Sequence, residues 1–198
     1  MREASRFVIS NILDEIENGD ASSLEYDLSA FSCPANAEIE TFLKSNAIEF
    51  AKRKLSITYL VTDIESGDLV AYFTLTHKAI DVADAGLSNT ARKKAASYAR
   101  LDPISDSYNL SAFLLAQFGK NYAVAEERRI SGHDLMSLVY VVLRNIQRQI
   151  GGGAIFLDCD YDNPFLTDFY QNKENYRLFG ERISEIDNKR YLQFMRFL

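Results

Sequence analysis

Residues 111–153 have the sequence SAFLLAQFGKNYAVAEERRISGHDLMSLVYVVLRNIQRQIGGG, and this stretch decides the fold. Its first part, residues 111–125, is mostly apolar and predicts a buried strand and its exit. Its second part predicts a long amphipathic helix over 133–150, whose apolar positions are Leu135, Met136, Val139, Val142, Leu143 and Ile146. Three consecutive glycines then end the helix. A buried strand that leads into a long helix is typical of a layered domain of strands and helices.

The pattern upstream of this stretch predicts two more helices and a hairpin. Apolar residues at helical spacing predict a helix over 4–18, a short strand follows at 24–31, and Asn36 caps a helix that runs from 38 to about 55. Residues 56–63 and 68–76 are β-rich and flank the turn sequence ESGD, which predicts a β-hairpin. The segment 81–107 is long and polar, as in a lid or binding loop, and its composition over 90–100 is helical.

Strands and helices alternate downstream of the long helix. The pattern predicts a strand at 154–159, a helix at 163–174 and two final strands at 176–183 and 189–198. We therefore expect an α/β (α+β) fold with a mixed, mostly antiparallel central sheet and helices on both faces. The expected organisation is an N-terminal helical extension over 1–22 and a single domain over 23–198.

Composition favours an ordinary globular protein. The 198 residues are 47% hydrophobic and 25% charged, with a formal net charge of −6. No apolar run approaches a membrane span, and the N-terminus has no continuous apolar core, so we expect no secretory signal. Cys33 and Cys159 are far apart in sequence; a reduced, cytoplasmic protein is the simplest interpretation, and a disulfide between them is the alternative. An acidic protein binds nucleic acid poorly by charge alone.

The turn from Arg128 to Asp134 carries the chemistry that the sequence offers. It joins the buried strand to the long helix, so the first N–H groups of the helix and the helix dipole favour an anion. Gly132 allows close approach of a ligand, and Arg128 or Arg129 can bind phosphate. The turn has neither the P-loop pattern nor the Rossmann glycine pattern. From these residues alone, a tight strand-to-helix turn without a ligand is the competing interpretation.

The same turn resembles the pyrophosphate loop of the GNAT superfamily of N-acetyltransferases, whose pattern is Arg/Gln-x-x-Gly-x-Gly/Ala. Arg129 and Gly132 match it, whereas Asp134 replaces the second small residue. Three further segments are similar to this family: the strand LLAQFGKN at 114–121, the hairpin strand DLVAYFTL at 68–75, and Asn163 followed by Phe169-Tyr170. The segments FSC at 31–33, 38–50 and TYLV at 58–61 look like the toxin-type branch, which acetylates aminoacyl-tRNA.

The resemblance implies an acyltransferase that moves acetyl from acetyl-CoA to a primary amine, without a metal. It implies that the strand backbone at Phe118, Gly119 and Lys120 binds the pantetheine arm and polarises the thioester. It also implies that the diphosphate contacts Arg128, Arg129, Ile130, Ser131, Gly132, His133 and Asp134. By the same resemblance Asn163 contacts coenzyme A, and Tyr170 is the general acid that protonates the departing thiolate. The carboxylate of Asp134 suits the helix dipole but repels diphosphate.

Other roles stay open at this point. His77, Glu126 and Glu127 are candidates for the general base, as is a chain of water molecules. Two basic clusters, Lys52-Arg53-Lys54 and the segment from Arg92 to Arg100, are either solvated surface or binding sites for an anionic substrate. The expected partners are an amine acceptor of unspecified class and nucleic acid only as a tRNA substrate, with no membrane association; a homodimer is compatible with the resemblance. The rival interpretation is a noncatalytic GNAT-fold protein that binds coenzyme A or a partner.

Overall fold

The computed structural model describes residues 6–19, 21–185 and 188–198. Its strands are β1 (Phe7–Asn11), β2 (Ile57–Asp63), β3 (Leu69–Ala83), β4 (Leu101–Asp102), β5 (Ser107–Lys120), β6 (Ala154–Asp160), β7 (Arg177–Ile183) and β8 (Arg190–Phe197). Its α-helices are α1 (Ile12–Asn18), α2 (Ala21–Ala30), α3 (Ala37–Thr41), α4 (Ala47–Lys52), α5 (Asn89–Tyr98), α6 (Gly132–Ile150) and α7 (Pro164–Asp168). Two π-helical turns, Phe42–Asn46 and Phe169–Lys173, continue α3 and α7.

The strands form one mixed sheet in the order β1-β2-β3-β5-β6-β8-β7, and β4 pairs with β5. The pairing of β5 with β6 is parallel, while β1 with β2, β2 with β3, β6 with β8 and β7 with β8 are antiparallel. The sequence prediction of a mixed, mostly antiparallel sheet flanked by helices is confirmed. The predicted division into residues 1–22 and 23–198 stays a prediction.

The chain divides into two compact units. The first unit comprises residues 1–76 and 116–142, and the second comprises residues 77–115 and 143–198. The core of the first unit lies where Phe31, Leu43, Leu60 and Tyr72 pack together. The core of the second unit is formed by Leu110, Phe156 and Met195 among others. Each unit therefore has its own apolar centre.

The predicted long helix is confirmed and begins one residue earlier, at Gly132. Its apolar stripe is buried, with Leu135, Met136 and Val139 fully shielded from solvent. Gly151 and Gly152 end it with φ angles of 78° and 113°, a left-handed conformation that favours glycine. The hairpin of β2 and β3, the helix over 90–100 and the strands after α6 also follow the prediction.

Two predictions near the N-terminus are wrong. Residues 7–11 form a strand rather than the start of a helix, because they pair with β2 from Phe7↔Asp63 to Asn11↔Tyr59. The helix begins only at Ile12, where the Asn11 side chain accepts a hydrogen bond from the backbone N–H of Leu13. The strand predicted at 24–31 is helix α2, in which Leu24 and Leu28 lie four residues apart on one buried face.

Candidate functional site

The loop before α6 is closed by a local capping interaction. Ser131 immediately precedes the helix, and its hydroxyl oxygen accepts a hydrogen bond from the backbone N–H of Asp134 at 3.0 Å. The same hydroxyl donates to the Asp134 carboxylate at 2.6 Å. The residue that departs from the family pattern is thus held against the helix start, where its negative charge complements the helix dipole.

The two arginines of the loop bind protein groups. Arg129 donates from Nε to the carbonyl of Val124 at 2.9 Å and from Nη2 to the carbonyl of Tyr122 at 3.0 Å. Its guanidinium also lies 5.1 Å from the centre of the Tyr122 ring. Arg128 is more exposed and forms an ion pair with Asp68 at 3.0 Å. Arg129 therefore shapes the backbone of the loop rather than extending toward an anion.

A pocket of about 400 Å³ lies beside this loop in the first unit. The loop contributes Arg129, Ile130, Ser131 and Asp134 to its wall, α6 contributes Ser137 and Leu138, and the N-terminal strand region contributes Arg6 and Phe7. Arg6 is held by Asp63, which is 1% exposed, through an Nε–Oδ2 hydrogen bond of 2.8 Å. This hydrogen bond with Arg6 is the main cause that lowers the pKa of Asp63, so its carboxylate stays charged. No local sequence pattern marks Arg6, because its partner Asp63 lies 57 residues away in the chain.

The end of β5 is crowded at its glycine. A Cβ atom at Gly119 would lie 2.4 Å from Cγ2 of Ile39 and 3.3 Å from Cε1 of Tyr72. Tyr72 is itself fixed, since its hydroxyl donates to the carbonyl of Ile39 at 2.6 Å. Desolvation raises the pKa of this phenol, so it remains a neutral donor. Glycine at 119 therefore serves close packing of the strand against α3.

Asn121 is a buried polar residue at the end of β5. It is 4% exposed, and its side-chain oxygen accepts from the backbone N–H groups of Ser32 and Ala123, both at 3.0 Å. Its side-chain nitrogen donates to the carbonyl of Leu69 at 2.8 Å. These bonds fix the chain where β5 ends and the loop to α6 begins. The only signal of this role in the sequence is that an asparagine directly follows an apolar strand. Asparagine in such a position is also common in ordinary turns.

Tyr170 lies in the second unit, in the π-helical turn Phe169–Lys173. It is 6% exposed, and its ring contacts the rings of Phe169, Tyr176 and Phe194 at centroid distances of 5.2, 5.7 and 6.3 Å. Such π-helical turns within α-helices frequently occur at functional sites. These aromatic contacts fix the direction of the ring.

Asn163 acts as the N-cap of α7. Its side-chain oxygen accepts from the backbone N–H of Leu166 at 3.1 Å, and Pro164 occupies the first helical position. Asn163 and Tyr170 belong to the second unit, whereas residues 118–120 and 128–134 belong to the first. The parallel pairing of β5 with β6 covers only Ala112–Leu114 with Ala154–Phe156, among the strands that the structure describes. Beyond Phe156, β6 therefore continues without this pairing to β5 among the described strands.

The remaining candidates have simpler surroundings. His77 shares a 2.8 Å hydrogen bond with the hydroxyl of Ser111 and contacts Phe113 edge-on. Cys33 and Cys159 are buried and free, and burial raises the pKa of Cys159 to about 11, so its thiol is not a nucleophile at neutral pH.

Within the described residues, no cluster of His, Cys, Asp and Glu could hold a metal ion. In that same part of the chain, no helix is both long and apolar enough to cross a membrane.

No family model matches the sequence, and no curated protein matches it either. Solved structures of bacterial toxins are similar to the chain. A Tyr→Phe variant of KacT is 17% identical with a TM-score of 0.65, and covers 98% of this chain and 95% of that one. A complex of the AtaT toxin with acetyl-methionyl-tRNAfMet is 18% identical with a TM-score of 0.60, and covers 93% of both chains.

A Tyr→Phe variant of AtaT bound to the C-terminus of the antitoxin AtaR and to acetyl-CoA is also similar, with 14% identity and a TM-score of 0.60. That match covers 98% of this chain and 94% of the toxin. Because the likeness extends over nearly the whole of both chains, the chain has the GNAT fold in the form found in these toxins.

Proposed function

We propose that this chain is an N-acetyltransferase that moves acetyl from acetyl-CoA to a primary amine by direct attack. The observation that carries the proposal is the end-to-end fold likeness to toxins solved with acetyl-CoA and with acetyl-methionyl-tRNAfMet. Fold alone does not determine chemistry, so the role of each residue depends on its own surroundings.

The cofactor is proposed to bind along the end of β5 and at the start of α6. The helix dipole attracts the diphosphate, and the N–H groups at the start of α6 that the Ser131 cap does not use bind it. The loop backbone is held in shape by Arg129 through its bonds to the carbonyls of Tyr122 and Val124. The backbone at Phe118, Gly119 and Lys120 takes the pantetheine arm and polarises the thioester carbonyl. Most of the rate enhancement then comes from holding amine and thioester together.

Tyr170 is proposed as the general acid. A neutral amine attacks the thioester carbonyl and forms the C–N bond, and collapse of the tetrahedral intermediate breaks the C–S bond. The departing thiolate takes a proton from the phenol of Tyr170, and the proton that the amine nitrogen loses returns through water to the phenolate. Two observations support this role: the fixed, buried ring of Tyr170, and its position in a π-helical turn. Several of the similar toxin structures carry a Tyr→Phe substitution, as expected if a tyrosine of this fold matters for their activity.

The acceptor proposed for the first test is the α-amine of an aminoacyl-tRNA. The AtaT complex with acetyl-methionyl-tRNAfMet favours this acceptor over a small molecule or a protein amine. The rival function is a noncatalytic protein that binds coenzyme A or a partner. The hydrogen bond from Ser131 to the Asp134 carboxylate favours that rival, because it keeps a negative charge at the proposed diphosphate site.

Thermal denaturation with and without acetyl-CoA separates binding from no binding. A ligand that binds only the folded state raises the midpoint, and the shift grows with ligand concentration. Transfer is then measured with radiolabelled acetyl-CoA on methionyl-tRNA and on a panel of small amines. Binding without transfer to any acceptor would support the noncatalytic rival.

Tyr170→Phe tests the acid. Loss of the phenol proton is expected to lower the turnover number about 100-fold, the usual range for a lost general acid, while the affinity for acetyl-CoA is retained. Tyr176→Phe is the matched control, since Tyr176 lies in the same aromatic cluster and is equally buried. Equal turnover of Tyr170→Phe and wild type would remove Tyr170 from the mechanism.

A further inference from the structure

Helix α5 of the second unit contributes little of its surface to the fold. Ala91 and Ala95 are its buried residues, at 1% and 0% exposure, and they pack with Leu87, Tyr108 and Leu110. The burial of two alanines requires only a narrow stripe of the helix. The remaining surface is therefore available for another purpose.

That remaining surface carries charge of one sign. From Ser88 to Arg100 there are four lysines and arginines and no aspartate or glutamate. Arg92 is held by Asp84 at 2.6 Å, whereas Lys93, Lys94 and Arg100 are exposed and have no carboxylate partner among the described residues. Helix α3 and the π-helical turn that continues it show the ordinary arrangement, in which Glu40 pairs with Lys44 four residues later at 2.7 Å. The cations of α5 are not arranged to stabilise their own helix.

A rigid aromatic ring stands beside these cations. Tyr98 lies one turn after Lys94 on the same helix face and is 47% exposed. Its ring stacks on Phe197 with an interplanar angle of 6° and a centroid distance of 6.3 Å, and its hydroxyl donates to the carbonyl of Leu198 at 3.3 Å. A Cβ atom on Gly153 would lie 2.6 Å from this ring, so the backbone there packs directly against it. The ring is fixed and still presents surface to solvent.

The two units differ in their balance of basic and acidic residues. By sequence the first unit has nine Lys and Arg against sixteen Asp and Glu, whereas the second has thirteen against twelve. A polyanion is repelled by the first unit and meets, on the second, the three cations that have no carboxylate partner among the described residues. Exposed cations next to a fixed aromatic ring are the two elements by which proteins bind RNA, through phosphates and through a stacked base.

We propose that the surface formed by Lys93, Lys94, Tyr98 and Arg100, here called the α5 surface, binds the RNA part of the acceptor. The lysines and Arg100 contact phosphates, and the ring of Tyr98 stacks on one base. The inference rests on the proposed function for the identity of the acceptor as a tRNA. An acidic peptide is the alternative occupant, and the experiment is designed to expose it.

The test measures binding of fluorescein-labelled, deacylated tRNA to the full chain by fluorescence anisotropy, without acetyl-CoA. The variant Lys93→Gln/Lys94→Gln/Arg100→Gln is compared with Lys52→Gln/Arg53→Gln/Lys54→Gln, which removes three exposed cations from the first unit. We expect the α5 variant to weaken binding about tenfold or more near 0.1 M KCl and to lower the slope of log Kd against log salt by about 2. The control variant is expected to stay within about twofold of wild type.

Tyr98 is tested with two substitutions. Tyr98→Leu is expected to weaken binding about tenfold, the usual cost of one lost base stack, and Tyr98→Phe to bind as wild type. If Tyr98→Leu does not fold, because its ring also packs on Gly153, the surface variant and the salt slope decide alone. The inference would be overturned if the two triple variants had equal Kd values for tRNA, whether both matched wild type or both were weakened. It would also be overturned if oligoglutamate bound as tightly as tRNA through the same residues.

The proposed function and this inference can fail separately. The tRNA used carries no amino acid and no acetyl-CoA is present, so binding does not depend on catalysis. Binding of tRNA through the α5 surface without any acetyl transfer would remove the proposed function and keep the RNA surface. Acetyl transfer to small amines with no binding of tRNA would keep the acetyltransferase function and remove the RNA surface.

Discussion

The loop before α6 and the helix α5 look alike in sequence, since each has adjacent basic residues, but they differ in what those residues contact. In the loop of the first unit, Arg129 donates to two backbone carbonyls and Arg128 pairs with Asp68. On α5 of the second unit, Lys93 and Lys94 face solvent. Arg129, which matches the family motif, holds the loop in shape, whereas Lys93 and Lys94, which match no motif, remain exposed. The presence of a basic residue in a motif therefore does not show that its charge is available to a ligand.

The largest expected effect tests whether Arg129 is structural. Arg129→Gln removes two hydrogen bonds from a charged donor to part-buried carbonyls, and is expected to lower the free energy of unfolding by about 3 kcal/mol. Arg128→Gln breaks only an exposed ion pair and is expected to cost less than about 1 kcal/mol. Urea denaturation of both variants measures the difference. Equal stability of the two would mean that the bonds to Tyr122 and Val124 do not hold the loop.

A second test compares glycines of the two units. Gly119→Ala forces a Cβ atom against Ile39 and Tyr72 and is expected to destabilise the protein by about 2 kcal/mol, as overpacking usually does. Gly86→Ala in the second unit meets no atom within 4 Å, so its stability is expected to stay within about 0.5 kcal/mol of wild type. The midpoints of urea unfolding provide the check. A tolerant Gly119 would show that α3 can move away from the end of β5.

The smallest expected effect concerns Asp134, the residue that separates this loop from the family pattern. Asp134→Asn removes a negative charge from the proposed diphosphate site, and the affinity for acetyl-CoA is expected to rise about tenfold. Glu127→Gln is the control, since it removes an equal charge from the exposed turn that precedes the loop. Isothermal titration with acetyl-CoA measures both variants. An unchanged affinity in Asp134→Asn would show that this carboxylate does not oppose the cofactor.

Local signals in the sequence predict some elements of the fold, whereas contacts between distant segments decide others. Helix α6 was predicted almost to the residue because its apolar stripe and its terminal glycines are local signals. The hairpin of β2 and β3 follows from the same kind of evidence. Strand β1 was missed because residues 7–11 have apolar residues compatible with either structure, and only pairing with β2, about fifty residues away, selects the strand.

The sequence by itself determined the class of fold, the long helix and the position of the loop before it, because hydrophobic periodicity and turn residues act over a few positions. Only the tertiary structure decided which polar groups already have hydrogen-bond partners within the protein. Asn121 reaches Ser32 and Leu69, and Arg6 reaches Asp63, across separations of dozens of residues. A hydrogen bond depends on a few tenths of an ångström between atoms from different elements, and no local pattern encodes that distance.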